Sequence, residues 1–230
     1  MGYGGTRSSI FSGNKCARET SGRVYFTERK MEEKIFFLSG KYELEGLLHK
    51  NSMGKGVVIT HPHPLYGGDM NNFIVDLITR AYQKKHFTTL RFNFRGTGKS
   101  QGSYDDGVGE QEDVCSALST LKQMGIKNID LAGYSFGAWV NALAISEDNA
   151  VRNMIMVSPP VSFLDFSSID SIPYLKLVVT GSIDDIAPAD RIKNMCPAWN
   201  RKAHMEIITG ADHFYSGRLG ELESILSSNI

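Results

Sequence analysis

From residue 31 onward the chain alternates short apolar runs, bounded by glycine or turn residues, with longer amphipathic stretches. "KIFFLSG" and "YELEGLLHK" read as two strands joined by a tight Gly-Lys connection. "GKGVVITH" is a short glycine-bounded apolar run, the pattern of a buried strand. "NNFIVDLITRAYQKK" places Phe73, Ile74, Leu77, Ile78, Ala81 and Tyr82 on one helical face, with asparagine as its cap. "FTTLRFNF" is the next strand. "GEQEDVCSALSTLKQMG" is a helix with acids in its first turn, an inner face of Val114, Ala117, Leu118 and Leu121, and Gly125 ending it. "NIDLAGYS" returns to strand and "FGAWVNALAISE" to an apolar helix packed under the sheet. "VRNMIMVSPP", "YLKLVVTG" and "RKAHMEIIT" are three further strands, and "GRLGELESILSS" is a closing helix.

Strands alternating with helices imply βαβ units, hence a mostly parallel sheet covered on both faces. The right-handed crossover rule makes such a sheet doubly wound, with functional loops at the carboxyl ends of its strands. About eight strands and no internal repeat or linker predict one α/β domain over residues 31–230. The first thirty residues differ: rich in Gly, Ser and Arg, poor in acids, and without hydrophobic periodicity. They lack the continuous apolar core of a secretory signal. "MGYGGT" matches the myristoylation pattern, but short targeting patterns match often by chance. The expectation is a disordered extension, or a non-native one before a true start at Met31.

Composition narrows the class without naming the chemistry. A chain of 230 residues suits one α/β domain with a sizeable core. Hydrophobic residues at 41% and charged ones at 22% are an ordinary globular mix. Lys+Arg and Asp+Glu both number 25, so no overall field draws in nucleic acid or an anionic membrane. Cys16, Cys115 and Cys196 are odd in number and lack CxxC spacing, which indicates neither a disulfide framework nor a zinc site. A cytoplasmic monomer or homodimer is the expectation, since no apolar run reaches membrane-spanning length.

One segment invites a nucleotide-binding reading. "RFNFRGTGKS" ends like a P-loop, but Asn93 stands where the first glycine is required. "GSYDDGVGEQED" follows where a helix should open directly, and Asp105, Asp106 and Glu110 would repel phosphate. The segment predicts a turn, with Arg95 structural and paired to a nearby acid, and Lys99 facing solvent.

The stronger motif is "GYSFG", Gly133 to Gly137, of the form G-x-S-x-G. Its context is strand before and helix after, a turn that would strain Ser135 and expose its hydroxyl at the sheet edge. A serine hydroxyl is a weak nucleophile and needs a base held by a carboxylate. "TGSIDDIAP" offers Asp184 and Asp185 after a buried strand, and "TGADHFYSG" offers His213 after the last one. The order Ser, Asp, His at successive strand ends is the order this architecture uses.

With these segments, and with "VVITHPHPLYGG" and "LRFNFRGTGKSQG", the chain resembles the α/β-hydrolases, specifically small lidless ones of dienelactone-hydrolase or serine-aminopeptidase-like type. The resemblance implies a Ser135–His213–Asp184 triad; its G-x-x-D-x-x-x-P pattern, from Gly181 to Pro188, selects Asp184 over Asp185. It implies an oxyanion hole from the backbone N–H of Phe136 and one in the loop after the third strand. There "HPHP" replaces the usual His-Gly, and proline has no N–H. His63 is the favoured second donor and Leu65 the alternative; losing one such donor costs about 2.7–4 kcal/mol of barrier stabilisation. His61 and His63 as metal ligands would need further partners, so loop packing is the expectation and no metal or other cofactor is implied. The connection "VSFLDFSSIDSIP" is too short for a lid. An open cleft lined by Tyr66, Phe136, Phe163 and Phe214 suits a small acyl ester or thioester. A serine peptidase, or a non-catalytic binding protein on the same fold, remains as the alternative.

Overall fold

The computed structural model describes residues 32–51, 54–145 and 151–230, together with Met1. The expectations for the first thirty residues, and for the last positions of the helix after Ser135, lie outside the described residues. Among the described residues the chain order is β1 (Glu33–Ser39), β2 (Tyr42–His49), β3 (Lys55–Thr60), α1 (Phe73–Lys84), β4 (Thr88–Phe92), α2 (Val108–Gln123) and β5 (Asn128–Tyr134). It continues with α3 (Phe136–Ala144), β6 (Met154–Val157), β7 (Leu175–Gly181), α4 (Ala189–Trp199), β8 (His204–Ile208) and α5 (Leu219–Asn229). Met31–Ile230 form one compact unit.

The strands make one eight-stranded sheet in the order β1-β2-β4-β3-β5-β6-β7-β8. β2 runs antiparallel to β1 and β4, and the strands from β4 through β8 pair in parallel. This is the doubly wound, mostly parallel α/β sheet that the pattern predicts. Its strands are apolar on both faces because helices cover both. Val57 and Ile59 of β3 pack with α1 and α5 on one side. Val58 packs with α2 and α3 on the other. The second face extends over β6 and β7, where α4 closes it through Ile192, Cys196 and Trp199.

Two details depart from the sequence reading. Phe73 is not on the inner face of α1; it is 57% exposed. Ile74, Val75, Leu77, Ile78, Ala81 and Tyr82 set the buried stripe, and Phe73, at the first helical position and about 40° round from Leu77, lies on its edge. Helix α4 was not among the predicted elements. Its buried positions are sparse and Pro197 lies inside it, so neither periodicity nor composition marks it. The β6–β7 connection holds only turns, so it supplies no lid over the carboxyl edge of the sheet.

Candidate active site

Ser135 sits between β5 and α3 with φ 54 and ψ −119, a backbone conformation that costs a non-glycine residue about 1–3 kcal/mol. Its flanking glycines make the turn sterically feasible. A Cβ on Gly133 would lie 2.6 Å from the Ala138 nitrogen, and one on Gly137 only 2.5 Å from Thr60 Oγ1. Hence β5 and α3 pack closely enough to aim the serine hydroxyl over the sheet edge.

Asp184 and His213 come from the loops after β7 and β8, and the sheet's parallel order brings all three together. His213 Nε2 lies 3.0 Å from Ser135 Oγ, and its Nδ1 is 3.0 and 2.9 Å from the two Asp184 oxygens. The proton on Nδ1 therefore points at the carboxylate, leaving Nε2 free to accept the serine proton. All three side chains are buried. Burial works to raise the Asp184 pKa, but His213, the Ala187 N–H and the Ser158 hydroxyl outweigh it and hold the carboxyl below its ordinary range. The Ile186 and Ala187 N–H groups both donate to Asp184 Oδ1, at 3.0 and 2.7 Å. Asp185, by contrast, faces solvent.

The loop after β3 is built around its two histidines. His61 is fully buried; its Nδ1 donates to the Pro62 carbonyl at 2.7 Å and its Nε2 accepts the Phe94 N–H at 3.0 Å. Burial lowers its pKa to about 4, so the ring is neutral and staples this loop to the one after β4. His63 Nδ1 accepts the Leu65 N–H at 3.3 Å, and the N–H groups of Tyr66 and Gly68 donate to the His63 carbonyl. Both nitrogens of each ring thus serve protein hydrogen bonds. Among the described residues the backbone N–H groups of His63 and Phe136 have no protein acceptor.

A cleft of about 270 Å³ opens onto Ser135 and His213, flanked by Pro62, His63, Asn72, Tyr134 and Ile186. Tyr66, Phe163 and Phe214 line it and are 74%, 53% and 67% exposed. The Phe136 side chain does not line it: the ring is fully buried against Phe94, Trp139 and His63. An α-helix directs its first side chain into the preceding turn, so Phe136 packs under the site and only its backbone faces it.

Two supporting groups escaped the sequence reading. Tyr134, the first variable position of G-x-S-x-G, donates its hydroxyl to the His213 carbonyl at 2.9 Å. Ser158, at the carboxyl end of β6, lies 2.8 Å from the Tyr215 hydroxyl and touches Asp184. A polar residue ending an apolar strand was the available signal for Ser158.

The segment 91–100 is scaffold. Asn93 accepts the Met70 N–H at 2.8 Å and donates to Glu45 at 3.0 Å, while Ser100 Oγ donates to the Asn93 carbonyl at 2.7 Å. Arg95 pairs with buried Asp113 and with Glu112, and Lys99 is exposed.

Comparison with known proteins agrees with this fold. A family model described as the alpha/beta hydrolase fold matches residues 63–206. An uncharacterized protein of Rickettsia prowazekii is 33% identical over 205 residues, covering 84% of this chain and 86% of its own. An alpha-beta serine hydrolase homologue from Coxiella burnetii is 35% identical with a TM-score of 0.81, over 87% of this chain and 98% of that one. A lidless serine hydrolase of Xanthomonas campestris is 25% identical with a TM-score of 0.79, over 86% and 93% of the two chains. Among the described residues no helix is long and apolar enough to cross a membrane. With a family model across more than half its length, the chain belongs to the alpha/beta hydrolase family, and the broad activity of that family is hydrolysis.

Proposed function

We propose that the protein cleaves small acyl esters or thioesters through an acyl-enzyme on Ser135. The observation that carries this reading is the continuous hydrogen-bonded chain from Ser135 Oγ through His213 to Asp184. Ser135 Oγ attacks the substrate carbonyl as His213 Nε2 takes its proton. Asp184 holds the ring in the tautomer that makes this possible and stabilises the imidazolium that forms. The negative charge on the former carbonyl oxygen is received by the N–H groups of Phe136 and His63. Leu65 is the weaker candidate for the second donor, because its N–H already serves His63 Nδ1. His213 then protonates the leaving group, and water repeats the sequence to free the acid and restore Ser135.

The open aromatic-rimmed cleft favours a short or flat acyl group over a long chain, which would leave much of its surface in water. A peptidase acting on small peptides would need a carboxylate for the substrate ammonium group. The cleft walls named above are aromatic, aliphatic, imidazole or amide, which favours an ester. The test is fluorophosphonate labelling of wild type and Ser135→Ala, followed by turnover of p-nitrophenyl esters from acetate to octanoate. Labelling confined to wild type, with turnover falling as the chain lengthens, supports the reading. Equal labelling of both proteins overturns the nucleophile, and labelling without turnover of any ester overturns the ester reading in favour of a thioester or a peptide.

A further inference from the structure

The His63 ring is restrained at both nitrogens and on several sides. Its Nδ1 accepts the Leu65 N–H, so the neutral ring carries its proton on Nε2, which reaches the Tyr104 hydroxyl at 3.2 Å. Phe136, Tyr66 and Tyr104 pack round it with ring centroids at 4.8, 4.9 and 5.1 Å. In the same loop the N–H groups of Leu65, Tyr66, Gly67 and Gly68 all have acceptors within the loop, and Pro64 has none to offer. Across residues 63–68 the His63 N–H is the one left without a protein acceptor, and its direction depends on how the ring anchors the residue.

Tyr104 reaches this ring from the loop after β4, and the first glycine of "RGTGKS", Gly96, is what lets it. Gly96 has φ 72, and a Cβ there would sit 2.8 Å from the Ser103 Cα and 2.9 Å from the Tyr104 nitrogen. That close approach brings residues 103 and 104 against the loop after β3.

We infer that the His63 imidazole and Tyr104 are positioning residues: together they hold the His63 backbone N–H where it meets the developing oxyanion. This rests on the acyl-transfer reading above. The ring plays the part that an asparagine or serine oxygen plays at a helix start, capping the short 3₁₀ turn Pro64–Tyr66 through the Leu65 N–H. The ring can accept that bond only while neutral, and its burial, against the opposing pull of Asp106, keeps its pKa below the usual histidine value. Burial, with Asp106 adding to it, pushes the Tyr104 pKa up to about 12, so its hydroxyl keeps its proton. The arrangement lets a proline-flanked loop present a single rigid donor where two prolines have removed the others.

The test compares His63→Ala, His63→Asn and Tyr104→Phe in the full chain, with p-nitrophenyl acetate as substrate and thermal unfolding as the check on folding. A displaced oxyanion donor raises the barrier without weakening substrate binding, so kcat falls while KM holds. His63→Ala should lower kcat about 30- to 100-fold and Tyr104→Phe about 5- to 10-fold, each with KM within about twofold of wild type. His63→Asn, whose amide oxygen can accept the Leu65 N–H but cannot reach Tyr104, should recover to about the level of Tyr104→Phe. An unchanged kcat in His63→Ala, a His63→Asn as slow as His63→Ala, or a loss confined to KM overturns the positioning role. If His63→Ala fails to fold, Tyr104→Phe and His63→Asn decide by the same criteria. Wild type that neither labels with a fluorophosphonate nor turns over the ester overturns the acyl-transfer reading itself, and this role with it.

Discussion

Tyr134 and His213 are joined twice: the tyrosine hydroxyl donates to the His213 backbone carbonyl at 2.9 Å, and the two rings lie 5.5 Å apart. The residue beside the serine thus anchors the loop that carries the histidine, across 79 positions of sequence. Tyr134→Phe keeps the ring contact but leaves a buried carbonyl without its donor, which costs about 1–3 kcal/mol of stability. With the imidazole less firmly held, kcat should fall roughly tenfold while KM holds. Urea unfolding and ester kinetics on the one variant check both halves.

The choice between adjacent aspartates is equally testable. Asp184 is buried and bonded to His213, whereas Asp185 faces solvent. Asp184→Asn should lower kcat by about 10⁴, because the amide favours the wrong imidazole tautomer. Asp185→Asn should stay within about twofold of wild type, as exposed substitutions generally do. The reverse ranking would remove Asp184 from the mechanism.

Arg95 spends its guanidinium and its backbone N–H on Asp113, whose side chain is fully buried. Replacing Asp113 by alanine leaves the buried Arg95 with only the half-exposed Glu112 as partner and should cost about 3 kcal/mol in urea unfolding. Lys99→Ala should change stability by less than about 0.5 kcal/mol, and ATP should leave the melting temperature where it is. Nucleotide-dependent stabilisation lost in Lys99→Ala would revive the phosphate-loop reading.

His61 gives stability a pH dependence whose sign is fixed by its burial. Its pKa falls from 6.5 to about 4 on folding, so between those values the unfolded chain binds the proton and the folded one does not. The stabilisation is therefore complete above pH 6.5 and is lost as pH falls toward 4, by about 3 kcal/mol from this residue. His61→Asn should be less stable at neutral pH but show a shallower loss on acidification. Denaturant unfolding of both proteins at pH 7 and pH 4.5 measures the difference; parallel slopes would remove His61 from the account.

Periodicity and local motifs carried most of the fold because the physics behind them is local. Buried parallel strands must be apolar on both faces, so "GVVIT" and "KLVVTG" announce themselves, as does the i, i+3, i+4 stripe of α1. Helix α4 was hidden because it buries little and carries a proline, so tertiary packing supplies what its pattern lacks. Phe73 was misplaced for a related reason: periodicity gives a stripe, and the packed sheet decides which residues bound it.

By itself the sequence determined the order of the strands and of every helix but α4, the turn at Ser135, and a set of candidate residues at strand ends. Only the tertiary structure decided which candidates meet. Parallel pairing of β5, β6, β7 and β8 brings Ser135, Ser158, Asp184 and His213 to one edge, although the first and last are 78 positions apart. It also turned two histidines in one four-residue motif to different ends, one a buried staple and one the cap of a turn. A motif names residue types and spacing along the chain. Hydrogen-bond direction and burial depend on neighbours that the chain brings in from elsewhere.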